Sequence, residues 1–233
     1  MLKPNPNPVF RNRKGIYTHF DPAQSLVCDE RWQFISLGAG YIQFDNENTR
    51  PAPFAEPRRD ALTWTLRLTS SGGWEPDVLA VHASTGKREA RVSWAMRDGA
   101  EFASFCWQNG SDVRRVERAW QTPTALGFQS GFAMTALLHG LPPNDNPQID
   151  VVWMDTLSFA PRAGMLSITR LGRETQATHF GPRALEGFGL ACDFPEGLEA
   201  HAPLTGQAWR DESGIVQAWL GADGSAIRLT AVN

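Results

Sequence analysis

His19 and Asp21, in the run Tyr17-Thr18-His19-Phe20-Asp21-Pro22, stand two residues apart. On a β-strand both side chains would leave the same face, and a carboxylate placed there can orient or charge an imidazole. The same run also reads as a strand ending in an Asp-Pro turn. His139 stands just before Gly140 at the end of a helical pattern. There the helix dipole favours a cation, and a helix end facing a cavity would make His139 the best-placed acid or base. Asp150 and Asp155 flank Trp153; Asp155, before Thr156, reads equally well as a strand-end cap. His82 and Glu89 pair across a hairpin as an ordinary surface couple. The candidate acids and bases are therefore His19, Asp21, His139 and Asp155.

A second set of residues suits binding. The chain has nine tryptophans against two tyrosines, so its large rings supply apolar bulk more than phenolic hydroxyls. Trp64, Trp94, Phe105, Trp107, Phe128, Phe132 and Trp153 could form an apolar wall, and Arg114 or Arg118 could meet a head group. Such a site fits a ligand with an apolar body and an anionic or hydroxylated head. The blander reading buries the rings as core and leaves the arginines on a solvated edge strand or beyond a bulge.

Other chemistries find no footing. There is no G-x-S-x-G, Walker loop, G-x-G-x-x-G or H-E-x-x-H motif. The three cysteines and five histidines are scattered, with no short-spaced ligand pair, so neither a metal nor another cofactor is expected. A net charge of −3 without blocks of like charge gives nucleic acid no electrostatic footing. No run is long enough to span a bilayer and no signal-peptide core is visible. With a sparse, odd cysteine set, the expected compartment is the cytoplasm.

Positioning these residues requires a β framework. A chain of 233 residues can form one large all-β domain without disulfides. Residues 1–14 read as an extended Pro/Asn arm, and residues 15–233 as one β-rich domain. That domain divides into a β half over 15–120, a buried helix over 123–139 and a second β half over 149–233. Gly38-Ala39-Gly40 marks a hairpin, and the Pro-rich stretch 45–60 reads as a loop long enough to be a lid or rim. Residues 61–120 read as a five-strand antiparallel meander, because Asp-Gly and Asn-Gly favour the positive φ of type I′ turns.

Two-residue turns fix the register. Asp98-Gly99 sets Val92 opposite Phe105, and Thr85-Gly86 sets Val92 opposite Leu79. Asn109-Gly110 sets Arg114 opposite Phe105 and Arg118 opposite Glu101. In the second half, 165–171 and 174–180 read as separate strands joined at Gly172-Arg173. Turns at Ser213-Gly214 and Asp223-Gly224 align Trp209, Ala218 and Leu229, put Val216, Leu220 and Ile227 on their face, and pair Trp219 with Arg228 as a cation–π contact on the other.

The expected fold is thus mainly β: a large curved antiparallel sheet or barrel-like roll of about 12 strands in two halves around one central buried helix. This order of elements resembles the spiral β-roll of bacterial lipoprotein carriers and of proteins assigned to glycolipid binding. The resemblance spans most of the chain and rests on no specific motif. It implies a carrier-like concave face; the same fold also hosts a metal-free pigment-biosynthesis enzyme, so it implies neither binding nor catalysis alone. A calycin-like barrel would carry an early G-x-W, but Trp32 follows Glu30-Arg31. The expected function is binding of a hydrophobic small molecule or lipid on the concave face; the alternative is a cofactor-independent isomerase, cyclase or hydrolase acting on an apolar metabolite. No nucleic-acid partner is expected, and a homodimer stays open.

Overall fold

The computed structural model describes residues 13–38, 41–49, 59–68, 74–83, 88–109, 111–120, 124–127, 130–139, 146–154, 161–193 and 205–233. The first half contributes β1 (Lys14–Phe20), β2 (Leu26–Gly38), β3 (Tyr41–Thr49), β4 (Arg59–Leu68), β5 (Trp74–Ala83), β6 (Arg88–Arg97), β7 (Ala100–Asn109) and β8 (Asp112–Trp120). Then come β9 (Thr124–Gly127), α1 (Gly131–His139) and β10 (Gln148–Met154). The chain continues with β11 (Pro161–Thr178), β12 (Gly181–Asp193), β13 (Gly206–Arg210), β14 (Val216–Gly221) and β15 (Ala226–Val232).

The fold is mainly β, with fifteen strands among the described residues where about 12 were expected. They form one sheet in the order β8-β7-β6-β5-β4-β3-β2-β1-β15-β14-β13-β12-β11-β10-β9. From β1 to β8 and from β10 to β15 neighbouring strands are antiparallel, β9 lies beside β10, and the halves join where β1 pairs with β15. The expected five-strand meander is β4 to β8. Residues 1–12 and 50–58, which hold most of the expected arm and the middle of the expected lid, lie outside the described residues. Lys14 already belongs to β1, and residues 45–49 belong to β3.

Turn chemistry fixed the register where both central residues take positive φ. Asp98 and Gly99 have φ of 51° and 78°, and Val92 faces Phe105 while Trp94 faces Ala103. Across β5 and β6, Val92 faces Leu79 and His82 faces Glu89. The β7–β8 turn differs. Asn109 pairs with Asp112, so Val116 rather than Arg114 faces Phe105, and Arg114 faces Trp107. Arg118 faces Ala103 instead of Glu101. A slip of two residues keeps each side chain on its face, because the period of a strand is two.

The last hairpin corrects another expectation. Ala218 pairs with Arg228 and Trp219 with Ile227. The backbone bonds from Gly221 N to Ser225 O and from Gly224 N to Gly221 O add one residue to the turn. A slip of one residue swaps the faces. Trp219 and Ile227 are buried while Leu220 is 43% exposed, and Arg228 stacks on Phe20, at 5.0 Å, instead of on Trp219. Likewise the break expected at Gly172-Arg173 is a register shift within the single strand β11, with Gly172 at φ 87°.

The helix is shorter than residues 123–139. Residues Thr124–Gly127 form β9, which runs parallel to β10. Parallel neighbours cannot be joined by a tight turn, so the chain crosses over through α1. The helix lies in the core: Ala133, Met134 and Leu138 pack with Tyr17, Trp32, Phe34, Val92 and Phe105 from one half and Leu166, Ile168 and Phe188 from the other. Tyr17 stacks on Trp32 at 5.9 Å, and Trp32 meets Phe34 edge-on at 5.3 Å.

Candidate functional site

Alternation along β1 and β2 sends Tyr17, His19, Cys28, Glu30, Trp32 and Phe34 to the interior. His19 and Glu30 are the two polar, chargeable side chains among them, and both are buried. Glu30 has no exposed surface, and four hydrogen-bonding groups among the described residues converge on it. His19 Nε2 lies 2.7 Å from Oε2, which also accepts from Gly131 N at 3.0 Å. Oε1 accepts from Asn46 Nδ2 at 2.6 Å and Ser130 Oγ at 2.5 Å. The partners come from three elements, β1, β3 and the start of α1, and meet on Glu30 of β2.

The local sequence explains the meeting point. Ser130 caps the helix, its Oγ accepting from Ala133 N at 3.1 Å, as short hydroxyl side chains do at this position. Gly131 then brings the first turn against the Tyr17 ring, and its own N–H, one of those the helix start leaves without an intrahelical partner, reaches the carboxylate. At the other end Arg210 Nη1 donates to Leu138 O at 2.5 Å, and Glu186 holds the same guanidinium through Nε and Nη2 at 3.0 and 2.8 Å. A carboxylate at the start and a guanidinium at the end both complement the helix dipole.

Beside this cluster Tyr17 Oη donates to Val216 O at 2.9 Å and lies 3.0 Å from Thr135 Oγ1. Burial pushes its phenol well above the ordinary range; the Thr135 hydrogen bond opposes this, and the charges of Glu30 and Asp211 add to it. Burial also pushes the Cys192 thiol up to about 12, with the Asp193 carboxylate adding to it. Folding makes both groups hold their protons more tightly, so above pH 9 and 10, where free thiols and phenols ionise, the unfolded chain loses protons first. Stability should fall as pH rises from 9 towards 12. Urea midpoints measured across that range check this, and Cys192→Ser should flatten the early part of the fall.

The other expected site residues fall elsewhere. Asp21 does not reach His19: its Oδ1 accepts from Ser25 N at 2.7 Å, closing an exposed turn. Glu30 takes the place expected of it. Phe105 is buried in the core with Trp107 packed against it. Arg114 and Arg118 are exposed on β8, an edge strand of the sheet, and Arg114 Nε donates to Asp112 at 2.9 Å. Trp64, Trp94, Phe132, His139 and Trp153 lie on β4, β6, α1, α1 and β10, with side chains outside the described set, as are Phe128 and Asp155 altogether. Among the described residues no group of His, Cys, Asp and Glu could hold a metal ion.

The opposite face of the same strands carries an open groove of about 600 Å³ crossing β15, β1, β2 and β3. Its side chains stand in two rows set by register. Lys14 faces Gln33, which faces Asp45; Ile16 faces Arg31, which faces Glu47. Ala231 extends the second row beside Ile16, and Asn233 closes the end beside Lys14. Between them runs the row of Gly15, Trp32 and Asn46.

No protein-family model matches the chain, and no curated protein does. A solved β-barrel-like protein of the domain of unknown function DUF1849 from Brucella abortus is similar over 96% of this chain and 98% of its own, with a TM-score of 0.53 and 10% identity. The likeness is one of fold. A DUF1089 family protein from Pseudomonas aeruginosa aligns over 82% of this chain and 89% of its own, with a TM-score of 0.46 and 17% identity. Among the described residues no helix is long and apolar enough to cross a membrane.

Proposed function

We propose that the protein binds a hydrophobic small molecule or lipid with a polar head, and that the ligand lies in the groove over β15, β1, β2 and β3. The observation that carries this reading is a groove of about 600 Å³, within the size range of small-molecule sites. Ile16 and Ala231 offer it apolar surface, and charged and amide side chains flank them. The concave face is less suited, because Phe105 and the helix residues Met134 and Leu138 already fill it together. The cytoplasmic setting stays part of the reading, supported by Cys28, Cys106 and Cys192 all being free thiols.

Native mass spectrometry of gently purified protein, and titration with dodecyl-chain amphiphiles followed by tryptophan fluorescence, test it. Ile16→Trp, which fills the groove, should weaken binding about tenfold or more, equivalent to roughly 1.4 kcal/mol. A bare chain mass together with no amphiphile binding would overturn the reading.

One observation favours the alternative, a cofactor-independent enzyme: His19 is held against a buried carboxylate, as a general base would be. Against it, all four acceptor positions of Glu30 are taken and the His19 side chain is only 9% exposed. The pair reads better as an anchor for the helix.

A further inference from the structure

Resting on the groove reading above, we infer that the head group it takes is an anion, a carboxylate or phosphate, held by Arg31 and Lys14. The groove has both signs of charge on its walls, and what decides between them is which charges are already engaged. Asp45 accepts from Gln33 Nε2 on Oδ2 and from Gln43 Nε2 on Oδ1, each at 3.0 Å, so both its oxygens are in use. Glu47 is engaged as well. Arg31 and Lys14 are exposed and make no side-chain hydrogen bond or ion pair with another described residue.

The two cations are diagonal neighbours. Lys14 faces Gln33 across β1 and β2, and Ile16, two residues on, faces Arg31. Diagonal cross-strand positions are roughly 7–8 Å apart at the backbone, a span that an anionic head of three or four heavy atoms can bridge. The guanidinium supplies a two-pronged donor set matched to carboxylate or phosphate, and the ammonium adds a point charge. Ile16 and Ala231 lie beside each other in the same row, so an alkyl body attached to that head has apolar surface to cover. Glu47 stands opposite Arg31 in the β2–β3 register without forming an ion pair with it, and its carboxylate opposes an incoming anion.

The test compares ligands of one chain length below their micellar concentrations: dodecanoate, dodecyl phosphate, dodecyl maltoside and dodecyltrimethylammonium. The two anions should bind at least tenfold more tightly than the neutral or cationic amphiphile, and their affinity should fall with added salt. Arg31→Gln and Lys14→Gln should each weaken anion binding severalfold and leave dodecyl maltoside within twofold of the parent. Glu47→Gln should tighten anion binding. Preference for dodecanoate over dodecyl phosphate, or the reverse, identifies which acid the pair is built for. Equal binding of dodecyl maltoside and the anions, or a Glu47→Gln variant that weakens them, would overturn the head-group assignment while the groove stands as a site. No binding of any of the four would instead overturn the groove reading itself.

Discussion

Glu30→Ala should destabilise the protein by about 3–5 kcal/mol, the range for removing one member of a buried charged cluster. Truncation removes the acceptor that four buried groups share: His19 Nε2, Asn46 Nδ2, Ser130 Oγ and Gly131 N. Each unmet buried donor costs free energy, and the helix start also loses the negative charge that complements its dipole. Set against a total stability of roughly 5–15 kcal/mol for a typical domain, this single change removes a large share. Glu30→Gln should cost less, because one carbonyl oxygen still accepts. Its amide NH2 must nevertheless face either Asn46 and Ser130 or His19 and Gly131. Urea unfolding of the two variants checks the order. Equal and small effects would mean that α1 is held by its apolar contacts alone.

The second large effect is expected at the other side of the same joint. Gly131→Ala should destabilise by about 2–3 kcal/mol, as overpacked cores do. Helix propensity argues for the opposite sign, since alanine is favoured over glycine by about 1 kcal/mol in a helix. Packing decides. A β-carbon at Gly131 would lie 2.7 Å from Cδ1 and Cγ of Tyr17 and 2.9 Å from Cδ2. The ring cannot retreat, because it is fully buried and its hydroxyl is fixed between Val216 O and Thr135 Oγ1. A double-mutant cycle checks the cause: in a Tyr17→Val background the penalty of Gly131→Ala should largely vanish.

Much of the sheet was legible because its turns announce themselves. Asp98-Gly99 admits one two-residue turn, and that alone sets Val92 against Phe105. Asp223-Gly224 carries the same signal, but its turn holds one residue more, and the extra residue moves Trp219 from the expected outer face to the core. Nothing in the dipeptide distinguishes the two cases. In the chain alone, residues Thr124–Gly127 look helical because four residues are too few to establish a strand period, and their pairing depends on β10, more than twenty positions later.

The buried cluster was half legible. Glu30 interrupts an alternating row of Cys28, Trp32 and Phe34 that all turn inward, so a charge in a core register was visible in the chain and marks the joint. Its partners Asn46 and Ser130, 16 and 100 residues away, are polar residues of no special spacing. Their convergence is a product of the fold. Asp21 offered a nearer carboxylate to His19, but the Asp-Pro turn takes it out of the strand and uses it locally.

The seam between β1 and β15 has a consequence for how the chain folds. Every other antiparallel pair joins consecutive strands, contacts that form by local hairpin closure at small entropic cost. At the seam His19 meets Ile227, across nearly the whole chain. Loop closure of that span delays folding far more than it weakens the final state. Both meanders can therefore assemble early, each presenting an unpaired inner edge, until the last strand docks. Joining β15 directly to β1 and opening the chain between β8 and β9 would turn this longest-range contact into another hairpin.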